Sequence, residues 1–193
     1  MSSKAGRAMM VLLIVLQYAA VGQGFISREE ALAWIGDNIE NSTTVPIRYH
    51  VSPAEYEFGE DVRFFKLSKI DGCKLILERY EHINGQPQVK SVYEVLLEEI
   101  DPENIRMSIE KYSRNICLVL KPDDKRKKIK VTRLSGKNYR FKQVRKKKSI
   151  ILEFNQEAIQ NNIHLQMQKA FQYSIQKCNQ NSTILNYIYS LNF

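Results

Sequence analysis

Between residues 71 and 105 the chain carries three backbone instructions in quick succession. Asp71-Gly72 precedes Cys73-Lys74-Leu75-Ile76-Leu77, Asn84-Gly85 separates two strand-like runs, and Asp101-Pro102 ends the second. Asn-Gly is the strongest short-range hairpin dipeptide. Proline lacks the N–H a ladder needs and restricts the residue before it. The stretch therefore reads as a β-hairpin followed by a sharp corner that launches another strand. Cys73, Leu75 and Leu77 alternate with Lys74, Ile76 and Glu78, so successive side chains fall on opposite faces. Pro87 places the start of the return strand near Gln88, and Val95-Leu96-Leu97 is continuously apolar, as in a strand covered on both sides.

Elements flank this hairpin on both sides. Ser27 and Glu30 have capping-box spacing ahead of Ala31, Trp34, Ile35 and Ile39, which predicts an amphipathic helix that Pro46 terminates. Trp34 reads there as a packing anchor. Strand signals recur at residues 47–51, 62–67, 105–109, 116–120, 129–134 and 149–154. Asn155 is then an N-cap with Glu157 in the first turn. Ile159, Ile163, Met167, Ala170, Phe171, Ser174, Ile175 and Cys178 form a stripe at spacings of three and four, predicting a helix that ends near Cys178-Asn179. The tail beyond residue 183 is apolar and aromatic in patches, and an added edge strand is one reading of it.

At the start, Lys4 and Arg7 precede an apolar run from Met9 to Leu16, followed by Ala19, Ala20, Gly22 and Gly24. This is the pattern of a secretory signal cleaved after Gly22, with an uncleaved N-terminal membrane anchor as the alternative. The expected organisation is a signal peptide at 1–22, an N-terminal helix at 23–44, a β-rich domain with its C-terminal helix at 45–180, and a tail at 181–193. The protein is expected to be exported, periplasmic or secreted. At 44% hydrophobic and 26% charged residues, the chain has the composition of a globular protein.

Export bears on the three cysteines, which allow at most one internal disulfide. Cys73 shares a strand face with Leu75 and Leu77, and Cys178 shares a helix face with Phe171 and Ile175. Cys117 alternates with Ile116, Leu118 and Leu120, so it leaves the core if those leucines face it. A Cys73–Cys178 bridge is favoured if any forms, with the Cα separation deciding. The cysteine spacings match no zinc motif, and His50, His82 and His164 are isolated, so no metal and no cofactor is implied.

The Gly72-Cys73-x-Leu75-x-Leu77 strand, the Leu96-x-x-x-Ile100-Asp101-Pro102-x-x-Ile105 corner and the Lys169-Ala170-Phe171-x-x-x-Ile175-x-x-Cys178 helix together resemble a loose group of small, uncharacterised bacterial exported proteins. The resemblance covers roughly residues 60–178 and departs from the pattern at Leu97-Glu98-Glu99. Its motifs are structural, so it implies a fold and an exported location but no activity. A strand meander closed by one C-terminal helix is also similar to the pleckstrin-homology-like superfold. By that analogy the expected fold is α+β and mostly β: a curved barrel or sandwich of about seven antiparallel strands, closed by the C-terminal helix and carrying an extra N-terminal helix. The superfold hosts lipid, peptide and purely structural roles, so function has to come from the site.

The sharpest compositional feature lies between residues 121 and 148. Fourteen Lys or Arg stand there against Asp123 and Asp124, a net charge of +12 in a chain whose total is +8, which leaves −4 to the rest. The basicity is local. Lys125, Arg126, Lys127 and Lys128 precede one expected strand, and Arg145, Lys146, Lys147 and Lys148 precede another. Tyr139 and Phe141 interleave with Arg140 and Lys142 between them. These ten cations are candidates for contact with an anionic partner, a membrane surface or a polyanionic glycan. The bland reading is that the lysines protect exposed edges and hairpin loops from aggregation. Nucleic acid is disfavoured as the ligand of an exported protein. A second function is a structural or accessory subunit that meets another protein through its helix and tail. A third, an exported enzyme, has no Gly-x-Ser-x-Gly, His-Glu-x-x-His or phosphate loop behind it, only a Cys117 thiol that would need His82 or His50 beside it.

Overall fold

The computed structural model describes residues 24–47, 61–111, 113–124, 129–136 and 139–191, with side chains described as far as residue 180. The secretory signal, most of the strand expected at 47–51, and Lys125, Arg126, Lys127 and Lys128 lie outside the described residues.

Helix α1 runs from Arg28 to Thr43. The Ser27 hydroxyl accepts from the Glu30 N–H at 3.0 Å, and the Glu30 carboxylate accepts from the Ile26 N–H at 2.8 Å, so two end donors are satisfied reciprocally. Ala31, Leu32, Ile35 and Ile39 give the helix one buried face. At its other end the Thr43 hydroxyl donates to Ile39 O and accepts from the Phe65 N–H at 2.9 Å, tying the helix to a strand.

Strand β1 (Val45–Pro46) is followed by β2 (Val62–Asp71), β3 (Lys74–Ile83) and β4 (Gln86–Leu96). The β3–β4 turn places Asn84 and Gly85 at φ 52° and 69°, the two-residue geometry whose twist matches the flanking strands. Pro87 is tolerated within β4 because the ladder shifts register opposite it, at Glu81/His82, so the return strand begins at Gln86 rather than Gln88. The chain then leaves the sheet through two 3-10 turns, Leu97–Glu99 and Pro102–Asn104. Asp101 shapes the second, accepting from the Glu103 N–H and the Asn104 side-chain amide at 2.9 and 2.7 Å. Strands β5 (Arg106–Ile109) and β6 (Ile116–Leu120) follow, then β7 (Ile129–Ser135), β8 (Phe141–Lys147) and β9 (Ile150–Glu153).

These strands form two separate antiparallel sheets, ordered β1-β2-β3-β4-β7-β8 and β5-β6-β9. The expected pleckstrin-homology-like closed barrel is therefore incorrect, and the fold is α+β with two open sheets. The physical reason is β8. All seven of its residues are exposed, including Phe141 at 72% and Val144 at 56%. A strand that lines a barrel needs an apolar inward face, and Phe-Lys-Gln-Val-Arg-Lys-Lys offers none. The six-stranded sheet ends there as an open edge. The expected strand at 149–154 pairs with β6.

The C-terminal helix also departs from expectation. Helix α2 (Gln156–Gln160) is capped by Asn155, whose side chain accepts from the Ala158 N–H. Asn162 adopts φ 57° and breaks the helix, and its carbonyl starts α3 by accepting from the Leu165 and Gln166 N–H groups. Helix α3 (Ile163–Leu191) continues past Asn179, so the tail is helical through Leu191 and not an edge strand. Its buried face, with Met167, Ala170, Phe171, Ile175 and Cys178, joins α1 and the inner faces of both sheets in one core. Cys73 and Cys178 form a disulfide with a Cα separation of 5.8 Å. Cys117 is buried even though Leu118 and Leu120 are too, because β6 is covered on both faces.

Candidate functional site

The β7–β8 ribbon exists because a tight turn follows a half-buried strand. Gly136 takes φ 79° and Tyr139 φ 52°, with the Tyr139 N–H donating to Gly136 O at 2.9 Å. A β-carbon at position 136 would stand 2.8 Å from the Phe141 ring, so the turn needs glycine. Register then fixes the faces. Ile129 and Val131 are buried and pair with Lys147 and Arg145, so Phe141, Gln143, Arg145 and Lys147 share the inner side of the sheet. Lys142, Val144 and Lys146 share the outer side with Lys130, Thr132 and Leu134.

Six of the ten candidate cations are described: Arg140, Lys142, Arg145, Lys146 and Lys147 on β8 or leading into it, and Lys148 in the turn beyond. All six are exposed. Among the described residues none of the six has an ion-pair partner. The body of the protein behaves differently. Glu94 sits between Lys74 at 2.9 Å and Lys130 at 2.6 Å, and those two hydrogen bonds hold its carboxyl below the usual range. Glu40 meets Lys66, Asp71 meets Lys69, and Glu78 meets Lys90 at 2.9 Å. The acidic groups of the described sheet are thus spent on β2, β3, β4 and β7, and the positive charge of β8 is left for solvent.

The Glu78 group has a measurable consequence. Burial pushes its carboxyl up, but hydrogen bonds from Tyr80 and Lys90 outweigh burial and hold it below 4.5. A carboxyl depressed in the folded state stabilises the protein above its unfolded value, and that stability is lost as pH falls through the folded one. Denaturant titrations from about pH 6 down to about pH 3 should therefore show a shallower acid decline for Glu78→Gln than for the wild type.

The thiol reading finds no support. Burial, reinforced by Glu153 and Glu110, pushes the Cys117 thiol up to about 11, and its sulfur hydrogen-bonds Ser108 O. A thiol in that state is protonated and inert. His82 instead packs edge-on against Phe64 and Tyr80, while His50 lies outside the described residues. Among the described residues no group of three or more His, Cys, Asp or Glu could hold a metal ion. The tail proposed for protein contact begins at residue 181, and its side chains lie outside the described residues.

Sequence reasoning missed that residues 141–147 are themselves a strand. The signal was the Ser135-Gly136 turn and the length of chain returning after it, not hydrophobic alternation, which is absent. Comparison with protein-family models, with curated proteins and with solved structures finds no match.

Proposed function

We propose that the protein is an exported, non-catalytic module that rests on an anionic membrane surface through its β7–β8 ribbon. The observation that carries this reading is the contrast in pairing: six exposed cations on one ribbon have no carboxylate among the described residues, whereas Lys66, Lys69, Lys74, Lys90 and Lys130 elsewhere on the same sheet each meet one. Near an anionic membrane each such charge is worth about 1 kcal/mol, so a handful hold a domain to the surface. Phe141 and Val144 favour a membrane over a glycan. They lie on opposite sides of the edge strand, Phe141 on the inner and Val144 between Lys142 and Lys146 on the outer, and each adds exposed apolar surface to the cations beside it. Among the described residues no helix is long and apolar enough to cross a membrane.

Sedimentation with phosphatidylglycerol vesicles tests the proposal. The wild-type chain should bind, and binding should weaken as salt rises. Lys142→Glu, Arg145→Glu and Lys146→Glu together should cut partitioning by at least about a hundredfold, since three attractions become repulsions. Those side chains are exposed, so folding is spared. Equal binding by the triple variant, or none by the wild type at moderate salt, overturns the reading. Binding to a sulfated glycan but not to vesicles replaces it.

A further inference from the structure

At the foot of β8 the two sheets part and leave a cleft of about 340 Å3, within the range of small-ligand pockets. Its wall brings together Arg63 on β2, Arg79 on β3, Lys147 at the end of β8, and Lys148 and Ser149 in the turn to β9. These residues lie far apart in the chain and meet because β2, β3 and β8 present their inner faces to the gap beside β9.

Both arginines are paired with carboxylates, Arg63 with one that itself lines the cleft. Arg63 engages both oxygens of Glu153 through Nη2, and Arg79 engages Glu81 through Nη2. Arg79 Nε is out of contact with solvent and has no hydrogen-bond partner. A charged donor in that position is expensive to leave unsatisfied. The two carboxylates on the wall are already occupied by donors. Glu153 accepts from Arg63 and from the Ser113 hydroxyl at 2.8 Å, and Glu110 accepts from the Ser113 N–H at 2.7 Å. Lys147 and Lys148 have no carboxylate partner among the described residues, and the Lys147 ammonium lies 5.7 Å from the centre of the Tyr93 ring.

We propose that this cleft binds a phosphate-type oxyanion, offered either by a phosphomonoester lipid headgroup or by a soluble phosphate. The donors come from three strands and a turn, and so from several directions. A phosphate-type oxyanion meets such a set with three acceptor oxygens and more charge than a carboxylate. A phosphomonoester carries about −1.5 to −2 charge near neutral pH, which suits two unpaired ammonium groups beside two guanidinium groups. The lipid source rests on the membrane reading above: the ribbon supplies general attraction to the surface and the cleft supplies preference among headgroups.

Calorimetry on the full chain, with inorganic phosphate and glycerol phosphate against acetate at matched ionic strength, tests the cleft directly. Both phosphates should bind at least about tenfold more tightly than acetate. Arg79→Gln should weaken phosphate on the order of tenfold or more. Lys148→Gln, on an exposed turn that folding does not need, should weaken it severalfold. Vesicles of phosphatidic acid and of phosphatidylglycerol at equal surface charge form the lipid arm. There the wild type should prefer phosphatidic acid and Arg79→Gln should lose that preference, with phosphatidylglycerol binding reduced no more than about fivefold by loss of one charge. Phosphate no tighter than acetate, or both variants unchanged toward it, overturns the proposal. Vesicle binding without phosphate preference sinks the cleft and spares the ribbon. Phosphate binding without vesicle binding does the reverse.

Discussion

Replacing Cys73 and Cys178 together by serine is expected to lower the unfolding free energy by about 4 to 5 kcal/mol, within the roughly 2–5 kcal/mol that native bridges of exported domains contribute. The bridge closes a loop 105 residues apart in sequence, near the long-loop end of that range. It also joins elements that share little else. Cys73 lies in the turn just before β3 and Cys178 lies deep on the buried face of α3. The Arg28 guanidinium at the start of α1 donates to both sulfurs, at 3.3 and 3.8 Å. Losing the bridge therefore frees the far end of α3 from the six-stranded sheet, while its packing against α1 remains. Denaturant unfolding of the double variant checks this, with the reduced wild type as a second route to the same state and Cys117→Ser as a control that keeps the bridge. A shift below about 1 kcal/mol would show that the core alone sets the stability.

Phe154→Ala should cost about 3 to 5 kcal/mol, which for a chain of this size lowers the melting temperature by roughly 6 to 20 °C. Phe154 is fully buried and stands where β9 passes directly into the helices. Its N–H donates to Ile116 O, extending the β6–β9 ladder by one bond, and its ring centre lies 6.1 Å from that of His164 at the start of α3. The next residue, Asn155, caps α2 and donates its side-chain amide to Asn41 O at 2.6 Å, so α1 and α2 are indexed from the same place. The cavity left by the ring can collapse only if three elements move together, which places the loss toward the upper end. Thermal unfolding followed by circular dichroism gives the number, and Phe154→Leu should recover most of it.

Local chemistry was legible in the sequence wherever it acted through neighbours. The Ser27 and Glu30 cap, the Asn84-Gly85 hairpin, the Asp101-Pro102 corner and the Asn155 cap all depend on residues within a few positions. The shape of the whole was not. Hydrophobic alternation reports burial, whereas a strand is defined by its ladder, and β8 has a ladder without burial. Closely spaced strand signals suggest a curved barrel or sandwich, and they carry no sign of the exposed edge at which the six-stranded sheet ends. The helix break at Asn161-Asn162 escaped for a related reason: the apolar stripe runs straight through it, and only the paired asparagines mark the turn. The candidate site divides in the same way. Its lysines stand out as a run, but Arg63 and Arg79 sit inside strands whose apolar neighbours invite a core reading.

The two sheets are interleaved along the chain, and that order matters for a protein made from one end to the other. Cys73 is delivered long before its partner, and the first thiol to follow it is Cys117, the wrong one. The β5–β6 hairpin that carries Cys117 is local and can form before α3 exists. In the complete fold, burial and the charges of Glu153 and Glu110 keep its thiol protonated and slow to attack. Cys178 arrives last, on a helix whose packing against α1 brings it to Cys73. Correct pairing is in this way kept by place: Cys117 is buried and protonated on β6, while Cys178 on α3 stands 5.8 Å from Cys73, Cα to Cα.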